Sequence, residues 1–233
     1  MIVNHRKFLL AVALIGAATP ACADVITDWN DQAVVFGVAR TMTPAAAERV
    51  IAMVQIAMFD AVNSIDHKYR PYLVQLPATA GTSREAAAAA AAGTVLAGIN
   101  APGQPDVKPA LASYLAAISD GPAKTEGVKL GEAVAARILE ARANDGANAP
   151  DTYRPRTAPG VYVPTVPTLS PQWSSVKPFV LTSGSQFRPA APIALSSAEW
   201  GANYNEMKDF GALASAKRSA DRKSTRLNSS HRP

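Results

Sequence analysis

An all-α fold, a partial helical bundle joined to a long extended segment, is what this sequence predicts. Three observations predict it. Apolar residues recur at helical spacing between residues 43 and 143, serine and threonine stand where those runs begin, and prolines crowd residues 147–195. Alanine and leucine, strong helix formers, fill much of the periodic part.

Residues 1–23 read as a secretory signal peptide. His5, Arg6 and Lys7 form a basic start, Phe8 to Ala18 is apolar, and Ala21-Cys22-Ala23 offers small residues for cleavage. The apolar run falls short of the roughly 20 residues that span a bilayer. The expectation is therefore an exported chain, periplasmic or secreted, with no membrane contact after cleavage. Acylation of Cys22 is the alternative for this leader, although Thr19-Pro20-Ala21 suits it poorly. Cleavage after Ala23 removes Cys22, the only cysteine, and with it any thiol for a disulfide, a metal or catalysis.

Residues 24–146 are expected to form the helical bundle. Thr43 as N-cap and Pro44 at the first helical position open a run to Ile65, with Ile51, Val54, Met58, Val62 and Ile65 as its apolar stripe. Thr82-Ser83-Arg84-Glu85 has capping-box spacing and opens Ala86 to Ile99, whose small side chains let neighbouring helices approach closely. Further helices are expected at Val107 to Ile118 and at Ala123 to Ala143. The second buries Val128, Leu130, Val134, Ile138 and Leu139 and stops at Asn144-Asp145-Gly146, where glycine suits a left-handed cap.

From residue 147 to 195, Pro155, Pro159, Pro164, Pro167, Pro171, Pro178, Pro189 and Pro192 exclude a long helix. Tyr153, Tyr162, Trp173, Phe179 and Phe187 are too many aromatics for a disordered tether, so this segment is expected to wrap a helical surface. In residues 196–220, Ser196 and Glu199 repeat the capping-box spacing and open a helix to about Phe210, with Met207 to Lys217 reading as helix that continues onward. Residues 221–233 have neither helical nor strand periodicity and match the translation of a sequencing-library adapter. They are read as a non-native tail.

These ends carry the chain's basicity. Of the formal charge of +5, the leader holds +2 and the tail +3, so residues 24–220 are neutral and nucleic acid is excluded as a partner.

The most distinctive stretch is Ala57-Met58-Phe59-Asp60-Ala61-Val62-Asn63-Ser64-Ile65-Asp66, followed by Tyr69, Pro71 and Tyr72. Taken with Ala86 to Ala92, Arg142 before Asp145-Gly146, Pro159-Gly160, Pro164-Thr165-Val166-Pro167 and Trp173 to Phe179, it resembles the N-terminal helical part of bacterial vanadium-dependent haloperoxidases, within the type 2 phosphatidic acid phosphatase superfamily. The resemblance runs from about Asp28 to Ser219. It implies an exported enzyme that oxidises halide with peroxide or hydrolyses phosphate esters at a site for vanadate or phosphate.

The resemblance also implies motifs that this chain lacks: Lys, six residues, Arg-Pro; Pro-Ser-Gly-His; and Ser-Arg, five residues, His. Lys177 and Arg188-Pro189 are separated by ten residues instead of six, Ser183-Gly184 lacks the following histidine, and Ser229-Ser230-His231 falls in the tail. No catalytic, cofactor-binding or metal residue is therefore assigned. The vanadate site and the chain's partner are both expected in a missing C-terminal catalytic half. The rival expectation is a helical binding module, complete at this length, that docks through Tyr153 to Phe187.

Asp60, Asn63 and His67 form the one constellation that invites a ligand, because spacings of three and four place them on one helical face, where they could hold a cation. The competing expectation is that Asp60 and Asn63 bond to neighbouring helices or to the backbone of the loop that follows.

Overall fold

The computed structural model describes residues 24–212 and 215–219, so the expected signal peptide (residues 1–23) and the expected non-native tail (residues 221–233) lie outside the described residues. The chain divides into two compact units, residues 1–151 and 152–233. The described residues are helical and contain no strand.

The first unit opens with α1 (Val25–Ala39), a helix the periodicity analysis misses. Its outward Val34, Val35 and Val38 blur the repeat, yet Trp29, Ala33, Phe36 and Gly37 share one buried face. The Asp24 carboxylate caps it, accepting from the N–H groups of Ile26 at 3.1 Å and Thr27 at 3.0 Å. At its other end Thr41 turns left-handed (φ 48°). Met42 N–H then reaches Gly37 O at 3.1 Å and Thr41 N–H reaches Val38 O at 3.0 Å, the paired bonds that close a helix in a Schellman turn.

Helix α2 (Pro44–Asp66) starts at the expected Thr43 and Pro44, although the Thr43 side chain makes no cap hydrogen bond. Its buried face is rotated from the expected stripe. Val54 and Met58 are buried as anticipated, but Ile51, Val62 and Ile65 are only half-buried, while Val50, Met53, Ala57, Asp60, Ala61, Asn63 and Ser64 go inside. Long apolar side chains draw the eye in a sequence; the closest packing here uses alanine and small polar groups.

Helix α3 (Arg84–Gly98) is the axis of the unit, touching α1, α2, α4 (Lys108–Ala116) and α5 (Pro122–Arg142). Ala86 to Ala92 are fully buried on every side. Glycines set the spacing to α5. A Cβ at Gly127 would sit 2.6 Å from Ser83 O, and one at Gly131 would sit 2.3 Å from Ala87 O and 2.8 Å from Ala91 N. Both helices thus meet backbone to backbone, the close approach that the alanine run leads one to expect. On α5, Leu130, Val134 and Ile138 are buried as expected and Val128 and Leu139 are half-buried. The helix ends at Arg142, and Gly146 (φ 93°) takes its left-handed turn a few residues beyond.

In the second unit, a short 3-10 helix (Pro171–Ser175) interrupts the proline-rich stretch. Trp173 and Phe179 are half-buried, whereas Tyr153, Tyr162 and Phe187 are exposed. Helix α6 (Ala198–Gly211) buries none of its residues and lines up Trp200, Tyr204 and Met207 on one exposed face. It does not continue to Lys217 as expected. Ala212 is extended, residues 215–219 are non-helical, and the Ser215 hydroxyl and Lys217 ammonium fold back onto Asp209, covering the last turn.

Both expected capping boxes are displaced by one residue. The N-caps are Ser83, whose Oγ accepts from Ala86 N–H at 3.2 Å, and Ser197, whose Oγ accepts from Trp200 N–H at 3.1 Å. Thr82 and Ser196 precede them. Each glutamate consequently sits one position early for the reciprocal bond, and Glu85 instead accepts from the Tyr114 hydroxyl at 3.3 Å.

Candidate functional site

Asp60, Asn63 and His67 lie on the last two turns of α2 and its cap, where the chain must reverse into the loop of residues 67–76. His67 makes that reversal, left-handed at φ 52°, with its N–H on Asn63 O at 2.8 Å. The loop then returns along α2, and its backbone needs hydrogen-bond partners that neither a helix nor a sheet supplies. Three α2 side chains supply them.

The fully buried Asp60 carboxylate accepts from Tyr72 N–H at 2.7 Å on Oδ1 and from Leu73 and Val74 N–H at 2.9 and 3.0 Å on Oδ2. Asn63 closes a two-bond ring with Tyr69, donating to its carbonyl at 2.8 Å and accepting its N–H at 2.9 Å. Ser64 donates to Asp60 O at 2.7 Å and accepts from Leu76 N–H at 3.0 Å. His67 Nδ1 meets Gln75 Nε2, away from the other two acceptors' bonds. The expectation of bonds to the following loop describes Asp60 and Asn63. A cation would have to displace backbone N–H groups to reach their oxygens, and no group of three or more potential ligands stands together among the described residues.

A second polar layer continues from this clamp. Tyr72 OH accepts from Arg142 Nη2 at 2.7 Å. Arg142 lies 3.7 Å from Asp145, which also pairs with Arg49 Nε at 2.8 Å, while Arg49 Nη2 donates to Arg142 O at 3.0 Å. Burial pushes the Asp145 carboxyl up, but the Arg49 hydrogen bond, the Ala147 N–H and the charges of Arg49 and Arg142 outweigh it and hold the group below the usual carboxylate range. Arg49, Asp145 and Arg142 thereby fasten the start of α2 to the end of α5. Sequence reading quoted Tyr72, Arg142 and Asp145 but missed Arg49, which only the fold brings to them.

Two surface recesses complete the geometry of the first unit. One, of about 270 Å³, is walled by Ile26, Met58, Phe59, Val62 and Tyr69, with Asp66 and Lys68 at its polar side. The other, of about 290 Å³, lies beside Asp28, Trp29, Asp31 and Tyr114. There the Tyr114 phenol is pushed up to about 12 by burial first and then by the charge of Glu85, so it stays protonated. The Trp29 and Tyr114 rings meet edge-on, 6.1 Å between centroids.

The vanadate expected of a complete family member does not fit the described residues. An oxyanion of that kind needs convergent cationic side chains and a histidine. The half-buried Arg49 and the buried Arg142 already face Asp145, His67 faces Gln75, and Lys177 and Arg188 stand at exposed positions of the second unit. No protein-family model, curated protein or solved structure matches the chain.

Proposed function

We propose that this chain is the scaffold part of an exported enzyme of the vanadium-dependent haloperoxidase or type 2 acid phosphatase kind, and that the chemistry resides in a C-terminal half that it would support. One observation carries the reading: the C-terminal half of α1, residues 33–39, is apolar on its outer side as well as its inner one. Val34, Val35 and Val38 are 43, 59 and 73% exposed opposite the buried Trp29, Ala33 and Phe36. A helical stretch that is apolar on every side belongs inside a larger assembly. Export agrees with the local structure, since cleavage after Ala23 would leave Asp24, already the cap of α1. No helix among the described residues is long and apolar enough to cross a membrane.

Reading the gene beyond Ala220 and assaying its full product tests this. Continuation into the lysine, arginine and histidine motifs, with vanadate-dependent halide oxidation or phosphate release, is the expected result. A stop codon directly after Ala220 would sink it. The binding-module reading draws on the exposed Tyr153, Tyr162 and Phe187 and on the closed last turn of α6, and a stop codon is the result it expects.

A further inference from the structure

Residues 151–163 are all exposed and contain neither helix nor strand. Within them lies Arg154-Pro155-Arg156-Thr157-Ala158-Pro159. Between Arg142 and Lys208 the chain has four basic residues: Arg154, Arg156, Lys177 and Arg188. Three of them precede proline, as Arg154-Pro155, Lys177-Pro178 and Arg188-Pro189. Proline after the scissile carbonyl places a ring on the leaving nitrogen and restricts the residue before it, which blocks serine endoproteases that read a basic side chain. Arg156–Thr157 is therefore the single bond in this stretch open to such an enzyme.

We infer that Arg156–Thr157 is a processing site, hydrolysed by an endoprotease of the serine class that binds arginine through a carboxylate in its specificity pocket. The local backbone suits that task. Proteases take their substrates as extended strands; Pro155 fixes its own φ and biases Arg154 towards an extended shape, and Pro159 does the same for Ala158. The strand is thus partly ordered before binding, and less conformational freedom is lost on entering the cleft. The reaction consumes one water: the C–N bond between Arg156 and Thr157 breaks, the Arg156 carbonyl carbon gains oxygen to become a carboxylate, and Thr157 leaves with a new α-amine. The site lies near the start of the second compact unit, so the N-terminal product keeps α1 to α5 and the whole Asp60 clamp. This inference stands apart from the scaffold reading.

The test is brief digestion of the whole chain with trypsin, followed by mass spectrometry of the intact products. The expected result is early appearance of a fragment ending at Arg156 while bonds after Arg49, Arg84 and Arg137 stay whole. Arg156→Gln should slow loss of the parent band at that bond by at least about 100-fold, because a pocket built for a charged partner rejects its neutral replacement strongly. Arg154→Gln should leave the rate within about twofold, since its own bond is already blocked. First cuts inside α1 to α5, or equal cleavage of Arg156→Gln, would overturn the assignment. Recovery of the exported protein with a new N-terminus at Thr157 would extend it to the cell.

Discussion

Helices α3 and α6 begin alike and end in opposite surroundings. Each is capped by a serine with glutamate at the second helical position, and they have 15 and 14 residues. Yet α3 buries ten of its residues and α6 buries none. Local cap chemistry decides that a helix starts, whereas side-chain size decides how closely others can pack on it. Seven consecutive alanines give α3 a narrow, smooth surface that four helices approach, while Trp200, Tyr204 and Met207 make α6 wide and leave its apolar face uncovered. Polar groups follow the same division. Around α2 and α5 they are directed inward onto backbone, and around α6 they cap its first and last turns.

The sharpest way to break this contrast is Asp60→Ala. It would leave the amides of Tyr72, Leu73 and Val74 without their acceptor in a buried place, at about 1–3 kcal/mol for each group that water cannot reach. A loss of about 4 kcal/mol is expected in urea melts followed by circular dichroism, and divalent cations should restore none of it. A cation-dependent rise in the wild-type midpoint that Asp60→Ala abolishes would revive the metal reading. Next in size is Gly131→Ala. Alanine gains about 1 kcal/mol over glycine in a helix interior, but its methyl would press on the α3 backbone at Ala87 and Ala91, which cannot swing aside. A net loss of about 2–3 kcal/mol is expected. A neutral or stabilising result would mean that α3 and α5 sit farther apart than described.

Asp145→Asn probes the layer between α2 and α5. Its carboxyl is held below the usual carboxylate range in the folded state, so its ionised form contributes stability that is complete above the unfolded pKa and fades as pH falls through the folded one. The variant should lose about 2–3 kcal/mol at neutral pH, where the buried Arg142 and the half-buried Arg49 keep no carboxylate. As pH falls through the folded pKa the two proteins should converge, because the wild-type group is then protonated as well. Parallel stability curves across that window would show that Asp145 does not carry the acid sensitivity.

How much of this was legible in the sequence follows from range. The starts of α2, α3, α5 and α6 are announced within a few residues by proline, serine or threonine, and they were found to within one or two positions. The one-residue slip at Ser83 and Ser197 arises because two hydroxyl residues stand side by side at each start, and only the turn geometry selects between them. Helix α1 was missed because valine is a weak helix former and its repeat is blurred. The rotation of α2 was missed because its inward face carries Asp60, Asn63 and Ser64, whose burial makes sense only once the returning loop is in place. Arg49 and Asp145 are 96 positions apart, beyond the reach of any local signal.

The smallest effects make the cleanest comparison, since they use one substitution on both helices. Ser83→Ala and Ser197→Ala each remove a cap bond worth about 1 kcal/mol. In α3 that loss should lower the melting midpoint of the whole first unit, because the helix is packed on four sides and cannot fray alone. In α6 it should reduce helical signal near residues 198–201 and leave that midpoint where it was. Gly201→Ala works in the other direction: nothing lies within 4 Å of the added methyl, so α6 should gain up to about 1 kcal/mol of helix stability, against the loss at Gly131. Hydrogen exchange read residue by residue separates these outcomes. Equal protection changes in both helices after the paired serine substitutions would show that α6 is held by packing after all, and the contrast between the two helices would fall.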